Sequence, residues 1–273
     1  MVSQYTQDVA KHYTQRHGIS QALYGNQPYA NYGYWPREGM TIEQASDELT
    51  DLIARTAGMG PGDRVLDVGC GYGANAVTYC KRYHPAAVVG IDVTEVRIEK
   101  GREYVATHGL GDVITLQLGD ATKLGFEDAS FDRVIAVESA FHFDTRRDFL
   151  NEAARVLKPG GTLALSDMIP RRGVDPKSYM TGHRALASGV CLEMPVNAYD
   201  ADVYEQYLRE AGFAEVRIES ILEKSRKPFY QALEKLAQQV QGPPQQALLT
   251  AAKNIRQYID GGEDYILVFA RKG

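Results

Sequence analysis

Between residues 64 and 168, short apolar runs alternate with amphipathic stretches, separated by glycine- and proline-rich turns. RVLDV (64–68), AVVGIDV (87–93), VITLQLGD (113–120), FDRVIAVES (131–139) and TLALSDM (162–168) are runs of strand length with little polar alternation. Such runs predict strands buried on both faces. The intervening segments read as helices: one following the glycines after residue 68 to about Tyr83, one over 94–109 closed by Gly109, and one over 145–157. The last places Phe149, Leu150, Ala153, Val156 and Leu157 on a single face, the pattern of a helix packed on a core. Lys158-Pro159-Gly160-Gly161 is expected to break the chain. Upstream, 41–58 reads as a helix with Thr41 as N-cap and Gly58 as stop. Repeated βα units of this kind predict an α/β fold, a doubly wound and mostly parallel sheet with helices on both faces.

After residue 168 the alternation lapses. Residues 170–197 read as an inserted loop or short helices, followed by a helix over 199–211 and a strand over 213–221. A helical stretch over 226–260, broken at Gly242-Pro243-Pro244, precedes a last strand, DYILVFAR, over 264–271. Tyr5, Tyr13, Tyr24, Tyr29, Tyr32, Tyr34 and Trp35 crowd the first 35 residues, where no phenylalanine occurs. The expected organisation is an N-terminal helical lid over 1–58 and a ligand-binding domain over 59–273, with cap insertions at about 170–197 and 222–260.

Composition narrows the classes. The 273 residues are 44% hydrophobic and 24% charged, ordinary for a soluble globular chain. No run approaches the roughly 18 apolar residues of a membrane span, and the first residues lack the marks of a signal peptide, so a cytoplasmic protein is expected. A net charge of −5 argues against nucleic acid as partner. The pairs Arg146-Arg147 and Arg171-Arg172 read as solvated faces. Cys70, Cys80 and Cys191 form neither a disulfide framework nor a ligand cluster, and no metal is expected. The sequence leaves room for a homo-oligomer.

The chemistry concentrates in Val65-Leu66-Asp67-Val68-Gly69-Cys70-Gly71-Tyr72-Gly73, where a strand ends in an acid and runs into glycines. Glycine is required where a ligand lies against the backbone or where φ is positive. Gly69-x-Gly71-x-x-Ala74 also satisfies the dinucleotide fingerprint, so the loop alone leaves two cofactor classes open. Asp67, Asp92, Asp120 and Glu138 close four successive strands, on the edge where open parallel sheets bind ligands. Such a row repels a pyrophosphate. It suits a ligand carrying a sulfonium, an ammonium, a ribose diol and an aminopurine. Past the fourth strand stands His142, a side chain that titrates near neutral pH.

VLDVGCGYG, VVGIDV, GDATKLGFEDASFDRVIA and EAARVLKPGGTLALSD resemble the successive motifs of class I S-adenosylmethionine-dependent methyltransferases. The resemblance implies a seven-stranded, Rossmann-like sheet with its last strand antiparallel and S-adenosylmethionine as cofactor. Gly69 and Gly71 would approach the cofactor and Asp92 would bind its ribose. Asp120 and Ala121 would frame the adenine, and Asp67 would lie near the methionine end. AVESAFHFDTRRDFLNEAARVLKPGG is similar to bacterial natural-product O-methyltransferases, among them the rebeccamycin sugar methyltransferase and macrolide-sugar and polyketide enzymes. That likeness implies His142 as general base on the hydroxyl of a small-molecule acceptor, and Asp167 as a second base or as the group that orients the imidazole. The N-terminal block resembles this group's lid, with Tyr13, Tyr24 and Trp35 as cofactor contacts. His12, His17 and His183 are secondary candidates for touching the acceptor, whereas His84 and His108 read as helix-end caps. N- or C-methylation, a nicotinamide-dependent oxidoreductase and a cofactor sensor without turnover remain alternatives.

Overall fold

The computed structural model describes residues 2–15, 28–29, 31–186 and 195–273, the side chains of 182–186 excepted. Helix α1 (Gln4–Gln15) and α2 (Ile42–Ala57) precede an alternating run of β1 (Arg64–Val68), α3 (Ala74–Tyr83), β2 (Ala87–Asp92), α4 (Glu95–Thr107) and β3 (Ile114–Leu118). Next come β4 (Phe131–Val137), α5 (Arg146–Val156), β5 (Leu157–Pro170), α6 (Pro176–Leu186), α7 (Ala201–Glu210) and β6 (Phe213–Ser220). Helices α8 (Arg226–Ala237) and α9 (Pro243–Asp260) lead into β7 (Glu263–Lys272). The seven strands lie in the order β3-β2-β1-β4-β5-β7-β6. Pairings among β1 to β5 are parallel, and β7 runs antiparallel to both β5 and β6.

Strand geometry sends successive side chains to opposite faces, and two apolar clusters result. Val65, Ile135, Ala164, Tyr265 and Leu267 pack on one face with α2, α3, α4, α8 and α9. Their neighbours Leu66, Val134, Leu163, Leu165, Ile266 and Val268 pack on the other with α5 and α7. The central strands β1, β4 and β5 are buried on both faces over most of their length and so read in the sequence as largely apolar runs, whereas β3 and β6 keep exposed positions.

Three expectations need correction. Residues 158–161 do not end α5 in a loop. They form a register bulge inside β5, where Phe131 pairs with Leu157 and Arg133 with Thr162, and Gly160 takes a φ of +75° to allow it. Helix α2 is a layer of the core rather than part of a lid, since Leu49, Ile53 and Ala54 have no exposed surface. Its ends are as read: Thr41 and Gln44 form a reciprocal capping box, and Gly58 closes it at φ +65°. Finally, Arg147 and Arg172 are exposed and pair with Glu210 and Asp202, but Arg146 is wholly buried.

Candidate active site

The chain order reverses beside β1, which has β2 on one side and β4 on the other. At such a switch point the carboxyl ends of the strands open a crevice, lined here by Asp92, Asp120, Glu138 and His142. The glycine turn after β1 is fastened to β2 by the Gly69 and Cys70 N–H groups, both donating to the Ile91 carbonyl at 2.8 and 3.0 Å. Gly69 takes a φ of +78°, and a Cβ on it would lie 2.4 Å from Cβ of Ser139. Gly71, at φ +54°, has nothing nearer than 4.0 Å to the place of its absent Cβ. The first glycine is required by packing, and the second leaves bare backbone facing the crevice.

Asp92 ties this turn down from β2. Its Oδ2 accepts from Gly71 N–H at 3.0 Å and its Oδ1 from Thr94 N–H at 2.8 Å. Asp67, on β1 two residues before Gly69, has no exposed surface and does not line the crevice, and neither of its oxygens has a hydrogen-bond partner. Burial, then the charge of Asp92, pushes its carboxyl up from 3.8 to about 7. A solitary buried carboxylate is unfavourable unless something cationic compensates it. An unpaired acid just before a Cβ-free turn therefore fits a cationic ligand, and does not fit a pyrophosphate.

Two clefts meet over Gly69. The first encloses about 600 Å³ and is lined by Asp92, Asp120, Ala121, Glu138, His142 and Phe143 among others. The second encloses about 500 Å³ between Tyr29, Asn31, Gly71, Tyr72 and Glu138. Tyr13, Gly69, Arg97 and Glu138 line both. Asp120 accepts from the Thr122 N–H and hydroxyl, at 2.9 and 2.8 Å, which holds the loop after β3 against the first cleft. Helix α1 forms the roof, because Thr6, Val9 and Tyr13 share one helical face and all three line the first cleft. The Tyr13 ring lies 3.9 Å from the Arg97 guanidinium, a contact attractive both as cation–π and as stacking.

His142 ends a single 3-10 turn, Ala140–His142, just past β4. Ser139 anchors that turn by donating to the Val68 carbonyl at 2.9 Å. Across the cleft, Tyr13 Oη lies 2.6 Å from His142 Nε2. Burial pushes the Tyr13 phenol up to about 12, so the phenol stays protonated near neutral pH. The phenol donates to Nε2 or accepts from Nε2–H according to the imidazole tautomer, and in the first tautomer Nε2 carries the lone pair that a base needs.

Glu138 sits between the clefts with a φ of +49°, a strained setting for a residue with a Cβ. One oxygen accepts from the Tyr32 N–H at 2.7 Å and from the Tyr265 hydroxyl at 2.6 Å. Burial raises its carboxyl to about 7, against the pull of those two bonds and of Arg226.

The other expected groups are placed differently. Asp167 lines neither cleft. It is fully buried, its Oδ2 is 2.7 Å from Nε of the equally buried Arg146, and Tyr204 donates to it at 3.2 Å. A carboxylate enclosed by an arginine, with no hydrogen bond to His142, neither orients that imidazole directly nor meets an acceptor. Trp35 also stays away from the clefts, its indole N–H bonded to the Tyr32 carbonyl at 3.1 Å and its ring against the core. Tyr24 and His17 lie outside the described residues, as does the His183 side chain. His84 and His108 cap α3 and α4 as expected. Arg97, which lines both clefts, was missed. Arg97 is the third residue of α4, five positions past the strand-end Asp92, and that nearness in the chain is the one signal that could have found it.

A methyltransferase-domain family model matches residues 66–165, the span from β1 to β5 that builds this crevice. Erythromycin 3''-O-methyltransferase of Saccharopolyspora erythraea is 37% identical over 207 residues, covering 74% of this chain and 67% of that protein. The 27-O-demethylrifamycin SV methyltransferase of Amycolatopsis mediterranei is 34% identical, covering 75% and 74%. Among solved structures, the [4+2]-cyclase SpnF superposes with a TM-score of 0.78 at 25% identity over 100% of this chain and 97% of that one. A geranyl diphosphate C-methyltransferase from Streptomyces coelicolor shares the fold, with a TM-score of 0.78 at 16% identity over 100% and 99%. With these relatives and this crevice, the chain belongs to the S-adenosylmethionine-dependent methyltransferases.

Proposed function

We propose that this enzyme methylates a hydroxyl group of a small organic acceptor, with His142 as the general base. The observation that carries the proposal is the Tyr13–His142 contact of 2.6 Å: a hydroxyl already sits on the imidazole nitrogen, inside the crevice and beside Glu138. The relatives named as O-methyltransferases of erythromycin and rifamycin compounds support an acceptor of natural-product type. No helix among the described residues is long and apolar enough to cross a membrane.

The residues present fit S-adenosylmethionine. Asp92 would take the ribose hydroxyls, Asp120 and Ala121 the adenine, and the bare backbone of Gly69 and Gly71 the chain leading to the sulfonium, near the charge of Asp67. When bound, the cofactor supplies an electrophilic methyl group and departs as a neutral thioether. The protein must then align the acceptor and take its proton. Alignment is worth about 7–11 kcal/mol at best. Nε2 of His142 would take the acceptor's proton once the acceptor hydroxyl has displaced the Tyr13 hydroxyl from that nitrogen. Tyr13, braced on Arg97, closes the roof and keeps water out.

His142→Ala is expected to lower turnover of an alcohol acceptor about 10²–10⁴-fold while calorimetric affinity for the cofactor stays unchanged. A rate near wild type would remove the base and favour an amine acceptor, which needs none. Release of S-adenosylhomocysteine, with product mass spectrometry, separates methyl transfer from the cyclase activity named for the structural relative SpnF.

A further inference from the structure

The turn that carries His142 is held from outside the sheet. Asn197, 1% exposed, closes the 3-10 turn Pro195–Asn197 that precedes α7. Its Nδ2 donates to the carbonyl of Phe143 at 2.9 Å and to that of Phe141 at 3.4 Å. Those carbonyls flank His142 on either side. Its Oδ1 accepts from the Arg146 N–H at 2.9 Å. The partners themselves fix the amide's orientation, since the reverse would set oxygen against two carbonyls and an NH₂ against an N–H.

Arg146 completes the brace. Its guanidinium donates to the Asn197 carbonyl at 2.7 Å and to the Met168 carbonyl at 3.2 Å, and its Nε lies 2.7 Å from Asp167. Tyr199 and Tyr204 lie under it, at 4.9 and 5.1 Å from ring centroid to guanidinium carbon. None of Asn197, Arg146 or Asp167 lines a cleft. Two fully buried opposite charges are seldom a net gain in stability over apolar residues, so stability alone accounts poorly for this pair.

We propose that Asn197, locked in place by the Arg146–Asp167 ion pair, is a positioning residue that fixes the main chain on both sides of His142 and so aims the imidazole into the cleft. The inference rests on the base role of His142, and the experiment separates the two. Asn197→Asp keeps an oxygen for the Arg146 N–H but has no donor for the carbonyls of Phe141 and Phe143. Its kcat is expected to fall about 10–10²-fold, the effect of a misplacement on the ångström scale, with calorimetric cofactor affinity within about two-fold of wild type.

The same substitution in a His142→Ala background is expected to add less than about two-fold, because the group it aims is already gone. Losses that multiply in the double variant, or Asn197→Asp at the wild-type rate, overturn the inference while leaving the base intact. His142→Ala at the wild-type rate overturns the base, and the inference with it. Should Asn197→Asp not fold, Asn197→Ser, which keeps one donor, enters the same cycle. The limb of its kcat–pH profile that disappears in His142→Ala is expected to move, and an unmoved limb refutes the brace.

Discussion

Replacing Asp67 by asparagine is expected to stabilise the ligand-free protein and weaken its hold on the cofactor. Asp67 is fully buried with both oxygens unpartnered, and its carboxyl is raised from 3.8 to about 7. Between those two values the folded chain keeps the proton and the unfolded chain releases it. Stability contributed by this group therefore falls as pH rises from about 4 to about 7 and levels off above. At about 1.36 kcal/mol per pH unit, the loss in wild type reaches up to about 4 kcal/mol. Asparagine cannot ionise, so the variant escapes this loss. Urea unfolding from pH 4 to pH 8, without ligand, is expected to show near-equal stabilities at the acid end. At the alkaline end the variant leads by about 2–4 kcal/mol, the lower figure allowing for water entering the turn. Calorimetry on the same protein is expected to show weaker S-adenosylmethionine binding, since the sulfonium and ammonium lose a counter-charge. Stability and affinity moving in opposite directions is the signature of a strained functional group. Parallel pH curves for the two proteins would refute an ionisable, uncompensated Asp67.

Asp92→Ala removes the acceptor for Gly71 N–H and the proposed ribose contact; affinity for the cofactor is expected to drop by about 1–3 kcal/mol, and unchanged calorimetric binding removes the ribose from this residue. Gly69→Ala drives a Cβ to 2.4 Å from Ser139, so a loss of about 1–3 kcal/mol in thermal unfolding is expected. Gly71→Ala, which meets nothing within 4 Å, is expected to lose about 1–2 kcal/mol through its positive φ alone yet to block the cofactor; wild-type binding would show that the ligand does not approach there. Arg226→Met takes from Glu263, 2% exposed, the guanidinium that lies 2.6 Å away. A loss of about 3–5 kcal/mol is expected, recovered in part by adding Glu263→Gln, and no recovery would deny that the pair is the cause.

Most of the sheet was legible because burial on both faces makes strands such as RVLDV and FDRVIAV largely apolar, with few polar breaks. Local chemistry was legible too. The Thr41–Gln44 box and the Gly58 stop are written within a few residues of each other. The bulge in β5 was not, because Lys158-Pro159-Gly160-Gly161 has turn composition and its place in the ladder is set by pairing with β4. Arg146 was misread for a similar reason. Two adjacent arginines look alike in sequence, but successive positions on α5 point about 100° apart, which leaves Arg147 in water and turns Arg146 towards Asp167.

The division within the site follows from which atoms do the work. On the proposed assignment the cofactor half would use main chain and strand ends: a bare turn, Asp92 fastening it from the neighbouring strand, and Asp67 on β1 before it. Each of these groups is fixed by its own strand, so short motifs betray them. The acceptor half is assembled from far apart in the chain: Tyr13 from α1, His142 past β4, Glu138 gripped by Tyr32 and Tyr265. No spacing links residue 13 to residue 142. His142 and Glu138 could be found only because both follow the end of β4, where a parallel sheet presents its ligands. Asp167 was expected to orient the imidazole or to act as a second base, and its contacts are with Arg146 and Tyr204 instead. With Arg146 and Asn197 between them, the carboxylate reaches the imidazole only through the backbone that carries it.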